Sequence, residues 1–336
     1  MRHYSWIIQG RYADLLIFPR VFQFQRDLMI MTSRLPYLHE RKTGDHLRPP
    51  LYEELREGED YTPVSFVPDV NAVEAYCNAL GIDGDAYLKT KRTAPSGLVM
   101  KELMWLYMTH YDRSTLRGVH VHETARFHAE IPLGAPLVFK GRVREKYLKR
   151  GRKYFINESE AYDIDGRLLV SQANTEIIEF ESPATVQPSE KKDAGAEQKL
   201  APAIPTVDQT DIVAEREVTA TREGIGLFSG VMDGFRSIHS DPLEAVRQGF
   251  PDVVAQGMMG LCWLSEMAYA ELGMQWARNG NITGTFLKPI LAGSRFDARL
   301  VRIANDLTSQ MAMQGSLADQ LGNSPLVSKL WLTVSV

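Results

Sequence analysis

The chain has 336 residues, 44% of them hydrophobic and 24% charged, with a formal net charge of -4. That length accommodates two ordinary domains and a sizeable core without metal or disulfide staples, and the slight negative balance excludes a general attraction to nucleic acid or anionic membrane. Cys77 and Cys262 each sit in an apolar context, which suits buried thiols of a reducing compartment, the cytoplasm by default, and not a disulfide framework.

In chain order, the first thirty residues are apolar, but Arg11, Asp14, Arg20, Arg26 and Asp27 interrupt every stretch before it reaches the length of a signal core or membrane span. Neither is expected, and Met31 is a candidate alternative start. Residues 1–58 read as an N-terminal extension. A short helix is expected over "DVNAVEAYCNAL" and a longer apolar one over "APSGLVMKELMWLYMTHY". Four strands follow: "GVHVHETARFHAEI", "APLVFKGRVREKYL", "KYFINESEAYDI" and "RLLVSQANTEIIEF", the last two joined by a hairpin turn from Asp163 to Gly166. Residues 181–211, rich in Pro, Ala, Ser and charge, have the composition of a solvated linker. Beyond it come a short helix over "DPLEAVRQGF", a long apolar one over "AQGMMGLCWLSEMAYAELG", and strands over "NITGTFLKPI", "SRFDARLVRIAND" and "PLVSKLWLTVSV".

Residues 59–180 and 212–336 thus follow one plan. The interval from Gly97, at the first long helix, to Gly134 is within one residue of that from Gly257 to Gly293, which points to duplication. A helix apolar nearly all round needs enclosure, and a strongly curved antiparallel sheet supplies it. The expected class is α+β, two half-domains each wrapping a helix in a sheet.

The stretch "SIHSDPLEAVRQGFPDVVAQGMM", with "PILAGSRF" after it, resembles the MaoC-like hydratases and dehydratases of the hot dog fold in their two-domain (double hot dog) form. "GVHVHETARFHAEIPLGAPLVFKGRVREKYLKRGRKYF" looks like the sheet of the same fold in a degenerate first half. The resemblance implies reversible water addition to 2-enoyl groups, giving 3-hydroxyacyl groups, on thioesters of coenzyme A or acyl carrier protein in fatty acid metabolism. Exposed sheet edges and the habit of that family favour a homodimer; no cofactor is expected, and the net charge speaks against nucleic acid or membrane as partner.

The resemblance places His239 on the catalytic His, Asp241 on the Asp of an Asp-Pro pair, and Gly257 on the glycine whose N–H serves as oxyanion donor. Counting back from His239 without a gap puts Gly234 at the catalytic Asp, with Arg236 and Ser237 after it; one inserted residue brings Asp233 there instead. A near-neutral imidazole beside a carboxylate suits both proton transfers. Asp241 before Pro242 also reads as a helix N-cap, and His239 as a histidine bonding loop backbone. Gln256 either donates to substrate or fills a polar corner, and Met258 with Arg236 completes the expected substrate contacts, Arg236 through a substrate acid group or Asp233. For coenzyme A phosphates the basic candidates are Lys89, Lys91 and Arg92, and the run Lys149 to Lys153, which also reads as an exposed hairpin. His120 and His122, two apart on a strand, are expected on one face, with no further ligand in the sequence pattern to complete a metal site. Two rival functions remain: a non-catalytic acyl-binding or assembly protein, and a thioesterase or other lyase on the same scaffold.

Overall fold

A computed structural model describes residues 47–90, 92–112, 117–179, 211–229, 237–303 and 311–333. Residues 1–46 of the N-terminal extension, and the expected linker apart from Asp211, lie outside them.

The first half contains strand β1 (Val64–Phe66), helices α1 (Val70–Ala79) and α2 (Gly84–Thr90), β2 (Thr93–Ala94), α3 (Ser96–Leu103), a 3-10 turn (Leu106–Thr109), and strands β3 (Gly118–Phe127), β4 (Ile131–Pro132), β5 (Leu137–Lys149), β6 (Arg152–Tyr162) and β7 (Leu168–Ile178). The second contains β8 (Ile212–Thr219), α4 (Arg222–Ser229), α5 (Pro242–Arg247), β9 (Val254–Ala255), α6 (Gly257–Leu272), α7 (Met274–Asn279), β10 (Gly280–Phe286), β11 (Ile290–Leu291), β12 (Arg295–Ile303), β13 (Ala312–Ala318) and β14 (Leu326–Leu332).

Ten strands form one continuous antiparallel sheet in the order β1-β5-β6-β7-β3-β10-β14-β13-β12-β8. Each half contributes five strands, and the halves are joined where β3 and β10 pair, Asn281 opposite Arg126 through Thr285 opposite His122. Read outward from that seam, the two halves present the same five-strand order. The repeat extends to the two-stranded ribbons that precede each central helix, β2 with β4 and β9 with β11. Gly134 and Gly293, at φ 76° and 83°, turn the chain just beyond them.

Helix α6 is buried from Met258 to Tyr269, as a helix without a polar face must be. Trp263 is 1% exposed, and its indole N–H donates to the Leu80 carbonyl at the end of α1, 3.1 Å away. The long helix expected in the first half stops at Leu103 and resumes as the 3-10 turn. No Gly or Pro stands at the break, so packing overrides propensity: Leu106, Tyr107 and Met108 all turn under the sheet. Also unforeseen were β1, α2, β2, β8, β9, β13, α4 and α7.

Helices α3 and α6 meet at their N-terminal halves, where the Cys262 thiol lies 3.6 Å from the Gly97 carbonyl. A Cβ on Gly97 would come 2.1 Å from the Tyr76 hydroxyl, which donates to Glu266 on α6 at 2.9 Å. Burial pushes the Glu266 carboxyl up to about 7, partly offset by that hydrogen bond. Burial also pushes the Cys77 thiol up to about 12 and Cys262 further, so both are inert thiols.

Gly97→Ala is expected to destabilise the fold by about 1–3 kcal/mol through overpacking, with Tyr76→Phe in the same chain recovering part of the loss in urea unfolding. Because the folded value of Glu266 exceeds its ordinary 4.5, its contribution is full below 4.5 and is lost as pH rises through 7. Glu266→Gln keeps an acceptor for Tyr76 and is expected to abolish a loss on the order of 3 kcal/mol across that window; equal pH slopes for both proteins would refute this.

Candidate active site

His239 lies in the turn that leads into α5. Asp241 N–H donates to the Ser237 carbonyl at 2.9 Å, the His239 N–H to the Ser237 hydroxyl at 3.2 Å, and Asp241 accepts from Leu243 N–H at 2.8 Å, capping α5 ahead of Pro242. The turn is tied to β9: Val254 N–H donates to the Ile238 carbonyl at 2.9 Å, and the His239 imidazole Nδ1–H donates to the Val254 carbonyl at 2.6 Å. A carbonyl only accepts, so the geometry assigns the proton to Nδ1 and leaves Nε2 the basic nitrogen. Burial lowers the His239 pKa, the Val254 bond offsetting part of it, so the ring is neutral at pH 7. Asp233 and Arg236 fall at 230–236, outside the described residues, as do Gly234 and Lys91.

Two residues beyond Val254, Gln256 occupies the N-cap of α6 without capping it. It is 6% exposed, and neither amide atom has a hydrogen-bond partner among the described residues. Gly257 opens the helix, where first-turn N–H groups lack intrahelical acceptors and favour negative charge. A Cβ there would lie 2.6 Å from the Phe286 ring. Met258 is wholly buried. His239, Gln256 and Gly257 are thus gathered at one helix terminus by β9.

Behind Phe286 lies a second polar group, which the sequence reading missed. Strand β3 has a bulge between His120 and His122, which changes the alternation of faces. The expectation that His120 and His122 share a face is corrected: His120 turns inward with Glu123, its ring centroid 4.6 Å from that of Phe286. His122 faces outward, between the Thr285 and Thr283 hydroxyls at 3.0 and 3.3 Å. Burial holds His120 down to about 3 and Glu123 well above the ordinary carboxylate range, Glu176 adding to the latter. Their 3.1 Å contact therefore joins two neutral groups, not an ion pair. The His120 Nε2–H donates to the His122 carbonyl at 3.0 Å, leaving Nδ1 unpartnered among the described residues.

The inner face continues polar across the first half. In register across β6, β7 and β3 stand Asn157, Asn174 and Glu123; beside them Ser159, Gln172 and Ala125; and on the other side Phe155, Glu176 and His120. Tyr61 donates to Asn157, Tyr107 to Glu176 at 3.3 Å, and the Asn174 amide to Glu176 at 2.9 Å. Burial pushes Glu176 up to about 7, against those two bonds. Unpartnered among the described residues are Asn157 Nδ2, Ser159 Oγ, both Gln172 amide atoms, Asn174 Oδ1 and Glu123 Oε1. Left unmet, each such atom costs about 1–3 kcal/mol, and together they rival the roughly 5–15 kcal/mol net stability of a domain. The strands' alternation hid them, because the middles of "INESEAY" and "SQANTEI" are polar on both parities.

The other candidates sit apart. Lys89 pairs with Asp85 on the surface, Arg92 is exposed, and Lys149 to Lys153 forms the β5–β6 hairpin, where Lys153 pairs with Glu179. His128 contacts the Ser171 hydroxyl at 2.8 Å. An open groove of 840 Å³ lined by Arg126, Lys140, Glu160 and Trp331 lies on the outer face of the sheet, away from His239 and Gly257. Among the described residues no helix is long and apolar enough to cross a membrane.

Comparison with known proteins bears on the fold. Residues 205–318 match the family described as MaoC like domain. No curated protein sequence matches the chain. Among solved structures, a MaoC-like dehydratase superposes with TM-score 0.64 at 16% identity, over 85% of this chain and 100% of that one. A MaoC-like dehydratase from Phytophthora capsici gives TM-score 0.58 at 15% identity, over 83% and 96%. A conserved hypothetical protein of Mycobacterium tuberculosis with a double hotdog fold gives 0.53 at 14%, over 84% and 97%. The Drosophila melanogaster peroxisomal multifunctional enzyme type 2 gives 0.60 at 15%, covering 97% of this chain but only 53% of that one. At these identities the superpositions establish the fold, a double hot dog, and the family match places a MaoC-like domain in its second half.

Proposed function

We propose that the protein is a hydro-lyase that adds water to, or removes it from, the acyl group of a thioester on coenzyme A or acyl carrier protein. The observation that carries the reading is the neutral His239 imidazole, locked through Nδ1 on Val254 and adjoining the N-terminus of the buried helix α6. In the hydration direction, His239 Nε2 takes a proton from water as its oxygen bonds to the β-carbon of a 2-enoyl thioester. Electron density moves to the thioester oxygen, where the Gly257 N–H and the helix dipole stabilise the charge. Return of a proton to the α-carbon completes a 3-hydroxyacyl thioester, and Asp233 is the candidate carboxylate for positioning His239 or carrying that proton. Gln256, buried without a partner among the described residues, is suited to donate from its amide to the substrate.

His239→Gln is expected to lower kcat for hydration of a 2-enoyl-CoA by about 10²–10⁴-fold with unchanged thermal unfolding; full activity in the variant would remove His239 from the mechanism. Since burial lowers its pKa from 6.5, wild-type kcat/KM should be flat from neutral pH upward and fall only on the acid side of 6.5. Gly257→Ala, which drives a methyl group into Phe286, should cost about 10²-fold in kcat by displacing the donor, as steady-state kinetics with the same substrate would show.

A further inference from the structure

The β5–β6 hairpin gathers positive charge in a chain whose net charge is -4. Residues 144–153 read "REKYLKRGRK", with Arg144, Lys146, Lys149, Arg150, Arg152 and Lys153 against Glu145 alone. At the tip Lys149 stands directly opposite Arg152, and like charges in that relation destabilise a strand pair. Arg150 and Gly151 make the two-residue turn, at φ 52° and 70°. Such a turn favours Asn-Gly because both positions are left-handed, so an arginine at the first is strained. Arg144 pairs with Glu145 and Glu158, and Lys153 with Glu179, whereas Lys149, Arg150 and Arg152 have no ion pair among the described residues. The tip breaks two local rules of stability, and each break adds a cation; departures of this kind are expected where a surface serves binding. Apolar groups accompany the charge. Tyr147 and Tyr154 stack at 5.0 Å on the face that carries Lys149 and Arg152, and Leu148 is 66% exposed.

The register places this tip at the end of the sheet that holds the candidate site. Lys153 is opposite Ile178, and Ile178 opposite Gly118. Two residues along β3, His120 lies against Phe286, the ring beside Gly257. The row from β3 to β6 spans roughly 10 Å. We propose that the hairpin tip is the docking surface for an acidic acyl carrier protein, which brings the thioester to His239. The inference rests on the acyl-thioester reading above and chooses between its two carriers. Neither the groove at Arg126 and Trp331 nor a second between Lys288 and Pro325 includes a hairpin residue, and a projecting turn has no walls to enclose a nucleotide. Cations around an exposed leucine and a tyrosine pair have instead the make-up of a protein interface, an apolar centre with a polar rim. Such charges steer an oppositely charged partner during encounter. Carboxylates brought by that partner also relieve the repulsion between Lys149 and Arg152.

The test compares hydration of one acyl group, 2-butenoyl, carried by coenzyme A and by an acidic acyl carrier protein, using the full chain and the variants Lys149→Glu and Arg150→Asn. Lys149→Glu sets opposite charges across the turn, and Arg150→Asn supplies the residue that the turn favours, so both should unfold at or above the wild-type temperature. At low salt, kcat/KM for the carrier-protein thioester is expected to fall about tenfold in Lys149→Glu and about threefold in Arg150→Asn, through KM, with added salt erasing the difference. The same variants should hold kcat/KM for the coenzyme A thioester within about twofold. Equal losses with both carriers, no loss with the carrier protein, or a wild type that uses the coenzyme A thioester alone would overturn the inference while leaving the acyl-thioester reading in place. If neither thioester is turned over, that reading fails and the inference falls with it.

Discussion

A helix that is apolar on every side has no face to give to solvent, and α6 is such a helix. Its enclosure requires sheet below, a second helix alongside and capping elements above, which β10 and β12–β14, α3, and the end of α1 through the Trp263 to Leu80 bond supply. Most of the architecture answers this requirement. The two halves must share one sheet because the two central helices touch, Cys262 against the Gly97 carbonyl, and the β3–β10 pairing is the seam that lets one continuous layer line both.

The same enclosure sets the N-terminus of α6 apart from an exposed helix start. A helix start at the surface is quenched by water, whereas this one opens among buried side chains, where unpaired N–H groups and the dipole act through a low dielectric. The ribbon β9–β11 aims it, and the two hydrogen bonds between Val254 and the Ile238–His239 segment bring the imidazole to the same place. Asp241 contributes at one remove, by capping α5 and so holding the turn in which His239 sits. Position and protonation of the histidine therefore have one origin, the carbonyl of Val254.

The first half departs from the second in what its sheet encloses. Around α6 the inner surface is Ile282, Leu300, Leu317, Leu326 and Leu330, while beneath the shorter α3 it turns to Asn157, Asn174, Gln172, Glu123 and Glu176. The two halves thus share one frame and differ in the polarity of the interior. Burial raises the carboxyl pKa of Glu123 and Glu176 in the first half, as it does that of Glu266 on α6.

Local pattern alone sufficed for much of the fold. The run "GMMGLCWLSEM", without charge before Glu266, demands a buried helix, period-two segments mark β3, β5, β6 and β7, "DIDG" makes the turn in which Asp163 accepts from Asp165 and Arg167, and Asp-Pro announces the α5 cap. The resemblance in "IHSDP" and "AQGMM" singled out His239, Gln256 and Gly257. Pattern failed where the outcome depends on distant chain. Nothing in "LVMKELMWLYMTHY" tells that α3 stops at Leu103, and nothing in "GVHVHET" tells that a bulge turns His120 and Glu123 inward together. A strand polar on both parities has no inside until a helix is laid against it, so the interior of the first half was decided only by tertiary packing. What the sequence by itself determined are the elements whose periodicity leaves one way to bury them; the register, the shared sheet and the polar face beside Gly257 needed contacts between residues far apart in the chain.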